Sequence, residues 1–169
     1  LGVHYGTLTG WKGDELAKGI LVDSEWAVTR IAAEGDKAFE SFEGSFCFVW
    51  SDTRELDKLF MVRNDQRPMY FTYNKEGTRM FFASEPGMLA WVAERNYVAI
   101  EDKIYLLEAG FKYAFEADDP KKYTKTKLEF KKVTPAASYN YSSRSTSTTY
   151  SAQASFITKL ESAIRGALG

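Results

Sequence analysis

Between residues 45 and 83 the sequence carries four short apolar runs at roughly ten-residue spacing, with turn-forming residues between them. They are Ser45-Phe46-Cys47-Phe48-Val49-Trp50, Leu59-Phe60-Met61-Val62-Arg63, Met69-Tyr70-Phe71-Thr72-Tyr73 and Met80-Phe81-Phe82-Ala83. An antiparallel sheet with one wet face alternates apolar and polar positions, whereas these runs are apolar on both sides, so both faces of the sheet are expected to be covered. Twelve Phe, ten Tyr and four Trp fit a strand-rich core. The spacing predicts an antiparallel meander of four strands, in a chain of 169 residues long enough for one sizeable core.

Helical signals flank these runs, making the expected class α+β. A short helix is predicted over residues 12–18, ended by Gly19, and Ile20-Leu21-Val22 reads as a strand. Asp23 then stands where an N-cap belongs, ahead of a helix over residues 24–34 closed by Gly35, with Trp26, Ala27 and Ile31 facing the core. A second short helix is expected over residues 37–42. Ser84 would cap a helix reaching Arg95, with Met88, Trp91 and Val92 as its buried stripe. Further strands are expected over 104–107, 111–115 and 128–133. The lysine-rich stretch 121–127 reads as a solvated edge strand or hairpin turn, its charges discouraging further pairing.

Three regions follow from composition: a main domain over 1–135, a Ser/Thr-rich linker over 136–152, and an amphipathic helix over 153–169 carrying Phe156, Ile157, Leu160, Ile164 and Leu168. With few basic residues on its polar face, that helix is expected to dock on protein, as a possible oligomer contact, rather than on a membrane. The apolar start at Leu1 reads like the middle of a longer polypeptide.

Several functions are disfavoured. A net charge of −1 with scattered Lys and Arg gives no footprint for nucleic acid. One cysteine, Cys47, and one histidine, His4, leave no internal disulfide and too few soft ligands for a zinc site. No apolar run approaches the roughly 18 residues of a membrane span, and no export signal is evident, so a cytoplasmic protein is expected. Cys47, in an apolar strand without a neighbouring base, reads as core packing rather than as a nucleophile.

Five short motifs follow one another: His4-Tyr5-Gly6-Thr7, Val22-Asp23-Ser24-Glu25, Glu43-Gly44-Ser45-Phe46, Arg67-Pro68-Met69-Tyr70 and Phe82-Ala83-Ser84-Glu85. In this order and at these separations they resemble the glutaminase domain of class II glutamine amidotransferases, over roughly residues 3–95. The resemblance implies an Ntn-hydrolase-like four-layer αββα sandwich with mainly antiparallel sheets, incomplete at the N-terminus. It implies hydrolysis of glutamine to glutamate and ammonia through a thioester, without a cofactor. Gly6 would donate its backbone N–H to the oxyanion, and Tyr5 stands where the family has the second oxyanion donor, an Asn. Asp23 falls on the aspartate that binds the substrate's amino group, a role compatible with helix capping. His4 shares the first motif and is grouped with the substrate-binding residues, as a hydrogen-bonded imidazole rather than a base. The Arg63 to Tyr70 segment is expected to be architectural, a turn between central strands.

The family's nucleophile is a cysteine at the mature N-terminus, which Leu1 is not, and its substrate-carboxylate arginine precedes the histidine motif. Both would come from a missing N-terminal segment or a partner chain. The rival expectation is a noncatalytic amidotransferase-like module kept for binding or assembly. A third treats the motif series as coincidence and leaves an unassigned α+β binding domain.

Overall fold

The structure, a computed structural model, describes residues 1–131. Its larger sheet holds β1 (Gly2–Thr9), β2 (Glu43–Asp52), β3 (Glu55–Arg63), β7 (Phe111–Glu116) and β8 (Tyr123–Lys127), adjacent in that order and antiparallel throughout. A smaller sheet has β4 (Tyr70–Tyr73) at its centre, between β5 (Met80–Ala83) and β6 (Tyr105–Leu106), again antiparallel. Helix α1 (Asp23–Glu34) lies between β1 and β2 in the chain, and α2 (Pro86–Arg95) follows β5.

Strand alternation sorts side chains to two clusters. Phe46 and Phe48 of β2 point to one face and join Leu8, Val62, Phe39, Phe42 and the α1 residues Trp26, Ala27 and Ile31. Cys47 and Val49 point to the other face, with Met61, Tyr113 and Phe115, and meet Met69, Phe71, Tyr73 and Leu107 from the smaller sheet. Helix α2 packs on β4 and β5, outside that second cluster. The layers therefore run helix, sheet, sheet, helix, the α+β sandwich with antiparallel sheets that the doubly apolar strands ask for. Each inner strand is covered twice, which is why its sequence does not alternate. The helix over 23–34 and its core residues Trp26, Ala27 and Ile31 stand as expected, with Gly35 at φ 61 ending it. The lysine-rich stretch forms β8, exposed along its length and bonded to β7 alone among the described strands.

Other expectations are corrected. The four-strand meander is two hairpins in two different sheets, because β3 takes β7 as its second neighbour and the chain crosses over at Asn64 to Met69. Arg63 holds that crossing: buried to 8% exposure, it donates from Nε to the Leu107 carbonyl and from Nη1 to the carbonyls of Asn64 at 3.0 Å and Arg67 at 3.2 Å. Residues 12–18 form two 3-10 turns instead of a helix, because the Asp14 side chain accepts from the Leu16 amide and starts the chain afresh. The 37–42 helix is a 3-10 segment, Gly35–Ser41. Ile20-Leu21-Val22 is no strand; no neighbour among the described residues pairs with it, and Leu21 is exposed. Residues 128–131 are not a strand, although Leu128 is buried and Phe130 packs on the first cluster. Residues 132–133, the linker over 136–152 and the helix over 153–169 lie outside the described residues.

Helix α2 begins at Pro86, with Glu85 as its extended N-cap rather than Ser84, since the residue before a proline avoids helical geometry. Its buried residues are Leu89 and Ala93, whereas Met88, Trp91 and Val92 are exposed. Residues 88–93 are all apolar, so the 3.6-residue period alone does not choose the stripe, and the small Ala93 allows the close approach that Trp91 would block. In urea unfolding, Trp91→Ser is therefore expected to stay within about 0.5 kcal/mol of wild type. Leu89→Ala should cost roughly 2 kcal/mol or more, and the reverse ranking would contradict this orientation. Among the described residues no helix is long and apolar enough to cross a membrane.

Candidate functional site

Two motifs share one ladder. His4-Tyr5-Gly6-Thr7 lies on β1 and Glu43-Gly44-Ser45-Phe46 opens β2, with Gly6 opposite Phe46 and Leu8 opposite Gly44. The strands approach so closely that both glycines adopt positive φ, 147° at Gly6 and 107° at Gly44. A Cβ on Gly6 would stand 2.0 Å from the Ser45 carbonyl oxygen, and one on Gly44 would stand 2.2 Å from that of Thr7. Neither position tolerates a side chain.

Asp23 reaches this ladder from the start of α1. It is the first helical residue, preceded by Val22 in extended conformation, and its side chain does not cap the helix. Oδ2 instead accepts from the Leu8 amide at 2.8 Å, and Oδ1 accepts from Ser24 Oγ at 3.4 Å. The expected N-cap is thus replaced by a tie between α1 and β1. Oδ1 also lies 4.0 Å from His4 Nδ1. The carboxylate therefore spans His4 and Leu8, the residues two before and two after Gly6, in the positive field of a helix N-terminus.

His4 is a hydrogen-bonded imidazole. Its side chain is 2% exposed, stacks on Phe48 at 4.5 Å between ring centroids, and places Nδ1 2.9 Å from Ser24 Oγ. Burial lowers its pKa from the ordinary value, with Asp23 opposing and Arg67 adding to the shift, so the neutral ring is favoured and contact with Asp23 is not an ion pair.

Tyr5 points to the opposite face of β1 from His4. Arg67 lies over its ring, 5.0 Å from the centroid, and donates from Nη1 to Tyr5 Oη at 3.5 Å and from Nε to Ser45 Oγ at 3.2 Å. A phenol that accepts from a guanidinium keeps its own proton free to donate.

Ser24 and Ser45 stand inside two of the motifs with no role of their own expected from sequence, and Asn64 lies outside all five. Asn64, buried at the end of β3, accepts from the Phe46 amide at 3.2 Å and donates to the Gly44 carbonyl at 2.8 Å. It pins the β2 end that faces Gly6. The signal available was an Asn directly after an apolar strand and before Asp65, where an Asx side chain commonly replaces backbone pairing. Four of the five motifs thus converge on one end of the larger sheet. The fifth, Phe82-Ala83-Ser84-Glu85, forms the β5–α2 junction on the smaller one.

Cys47 lies opposite Tyr5 in the ladder but is 1% exposed, and burial pushes its thiol up to about 12. A thiol reagent should leave the native protein unlabelled at pH 8 and modify it in denaturant; rapid native labelling would contradict the packing role. A cleft of about 530 Å³ is lined by Phe42, Gly44, Phe46, Asn64, Gln66 and Gly110 among others, not by Tyr5, Gly6 or Asp23.

Residues 15–90 match the family model described as the glutamine amidotransferase domain. The matched stretch contains Asp23, Gly44 to Phe46, Arg67 to Tyr70 and Phe82 to Glu85, and begins after His4 to Gly6. No curated protein sequence matches the chain. Together with the sandwich architecture, the match supports a glutamine amidotransferase-type domain over residues 15–90.

Proposed function

We propose that this domain binds glutamine and, when completed by a segment bearing an N-terminal cysteine, hydrolyses it to glutamate and ammonia as an N-terminal nucleophile hydrolase. The observation that carries the reading is the Asp23 carboxylate, held by the Leu8 amide and the Ser24 hydroxyl beside Gly6. A carboxylate so placed is a receptor for the substrate's α-ammonium group, a charge-assisted contact worth about 1.5–3 kcal/mol. The incoming thiolate would add to the carboxamide carbonyl, and the oxyanion so formed would take hydrogen bonds from the Gly6 N–H and the Tyr5 hydroxyl. The cysteine's free α-amino group would take the thiol proton and pass it to the departing ammonia, and water would then cleave the thioester to glutamate and restore the thiol. The lone buried thiol and the lack of any internal disulfide suit a cytoplasmic setting.

Tyr5 favours a second reading, an inactive module that still binds. Its phenol is longer than an Asn amide, and Arg67 holds it at 3.5 Å. The test is ammonia release from glutamine by the protein of the whole reading frame. The hydrolase reading expects slow release that rises about tenfold or more in Tyr5→Asn, since one oxyanion donor is commonly worth a hundredfold. Glutamine binding without release, in both forms, would select the module.

A further inference from the structure

We propose that His4 and Ser24 are positioning residues, a two-step hydrogen-bond relay that fixes the rotation of the Asp23 carboxylate for recognition of an α-amino acid's ammonium group. The proposal rests on the reading that Asp23 is that receptor. Proton bookkeeping supports it. An ionised carboxylate only accepts, and a serine hydroxyl has one proton. With Ser24 Oγ 3.4 Å from Asp23 Oδ1 and 2.9 Å from His4 Nδ1, the arrangement that satisfies both contacts has Ser24 donating to Asp23 and accepting from His4. The imidazole must then carry its proton on Nδ1.

The other ring nitrogen agrees with this assignment. Nε2 is buried and has no hydrogen-bond partner among the described residues. As a bare acceptor it costs less than a buried, unpaired N–H would, since orphaned donors are the rarer defect in folded proteins. Stacking on Phe48, with 13° between the ring planes, holds the plane of the imidazole, and in that plane Nδ1 faces Ser24 at 2.9 Å. Oδ2 is held independently by the Leu8 amide at 2.8 Å. Both oxygens are thereby tethered, and the carboxylate loses its torsional freedom before a ligand arrives. Preorganisation of this kind lowers the entropic cost of binding.

The histidine is the sole one in the chain, so long-range proton–nitrogen NMR reports a single imidazole. At pH 7 the Nδ1–H tautomer is expected, retained in Ser24→Thr and lost in Ser24→Ala. Affinity is then compared for L-glutamine and for glutaramate, which lacks the α-amino group. Ser24→Ala should weaken glutamine by about three- to tenfold, the worth of one net hydrogen bond, and leave glutaramate unchanged, while Ser24→Thr restores it. An Nε2–H tautomer in the wild type, or an unchanged glutamine preference in Ser24→Ala when Asp23→Asn abolishes it, would overturn the relay. An unchanged preference in Asp23→Asn would instead overturn the receptor reading, and with it the relay's role in recognition.

Discussion

Gly6→Ala is expected to cost at least about 3 kcal/mol, and to leave the domain largely unfolded if its reserve is typical. Two separate effects add at this position. The backbone has φ 147°, a region that L side chains rarely adopt, and the added Cβ would meet the Ser45 carbonyl oxygen at 2.0 Å and Phe46 Cα at 2.8 Å. Both obstacles are backbone atoms in the central β1–β2 ladder, so relief requires the strands to part rather than a side chain to rotate. Gly87 in α2 supplies the control, because a Cβ there meets nothing within 4 Å and its φ is ordinary. Gly87→Ala should be neutral or slightly stabilising, from the lower entropy of its unfolded state. Thermal and urea unfolding of both variants checks the contrast. A Gly6→Ala protein with wild-type stability would mean that the close approach of β1 and β2 is wrong.

Arg63→Ala is expected to cost roughly 3–5 kcal/mol, out of proportion to a loop-end residue. Among the described residues the guanidinium has no carboxylate partner; it is held by the backbone carbonyls of Leu107, Asn64 and Arg67. Removing it leaves those acceptors without their donor in the seam where the chain passes from β3 to the smaller sheet. Arg63→Lys should recover part of the loss at most, since an ammonium cannot reproduce the planar fork. Unfolding in urea measures both. A change below about 1 kcal/mol in Arg63→Ala would show that the two sheets are not joined through this residue.

Arg63 also marks what the sequence could not reveal. The four central strands were legible, because apolar runs bounded by Ser51-Asp52, Asn64-Asp65 and Asn74 to Thr78 leave little choice. Which strand neighbours which was not, since β3 and β4 are adjacent in sequence yet lie in different sheets, and β3 pairs with β7 some fifty residues on. Helix α1 was legible with its buried face, as Trp26, Ala27 and Ile31 form its one apolar stripe. Six consecutive apolar residues hid the orientation of α2.

At the site, the motif order pointed to His4, Tyr5, Gly6 and Asp23 but not to the partners that hold them, Ser24 and Phe48 at His4, Arg67 at Tyr5 and Leu8 at Asp23. Whether Asp23 caps its helix or turns to Leu8 depends on β1 passing within reach, a tertiary fact with no local signature. Asn64 and Ser24 were illegible for the same reason. Each is an ordinary polar residue at an element boundary until its partner from elsewhere in the chain is known.

The central claim is that Asp23 makes this domain a receptor for glutamine's amino group. Calorimetric or NMR titration of the wild-type protein with L-glutamine and with glutaramate tests it most directly, repeated on Asp23→Asn after its fold has been verified. The account predicts at least about tenfold preference for L-glutamine, as one charge-assisted hydrogen bond of about 1.5 kcal/mol or more requires, and its loss in Asp23→Asn. Equal affinity for the two ligands in the wild type, or a preference that survives in Asp23→Asn, would contradict it.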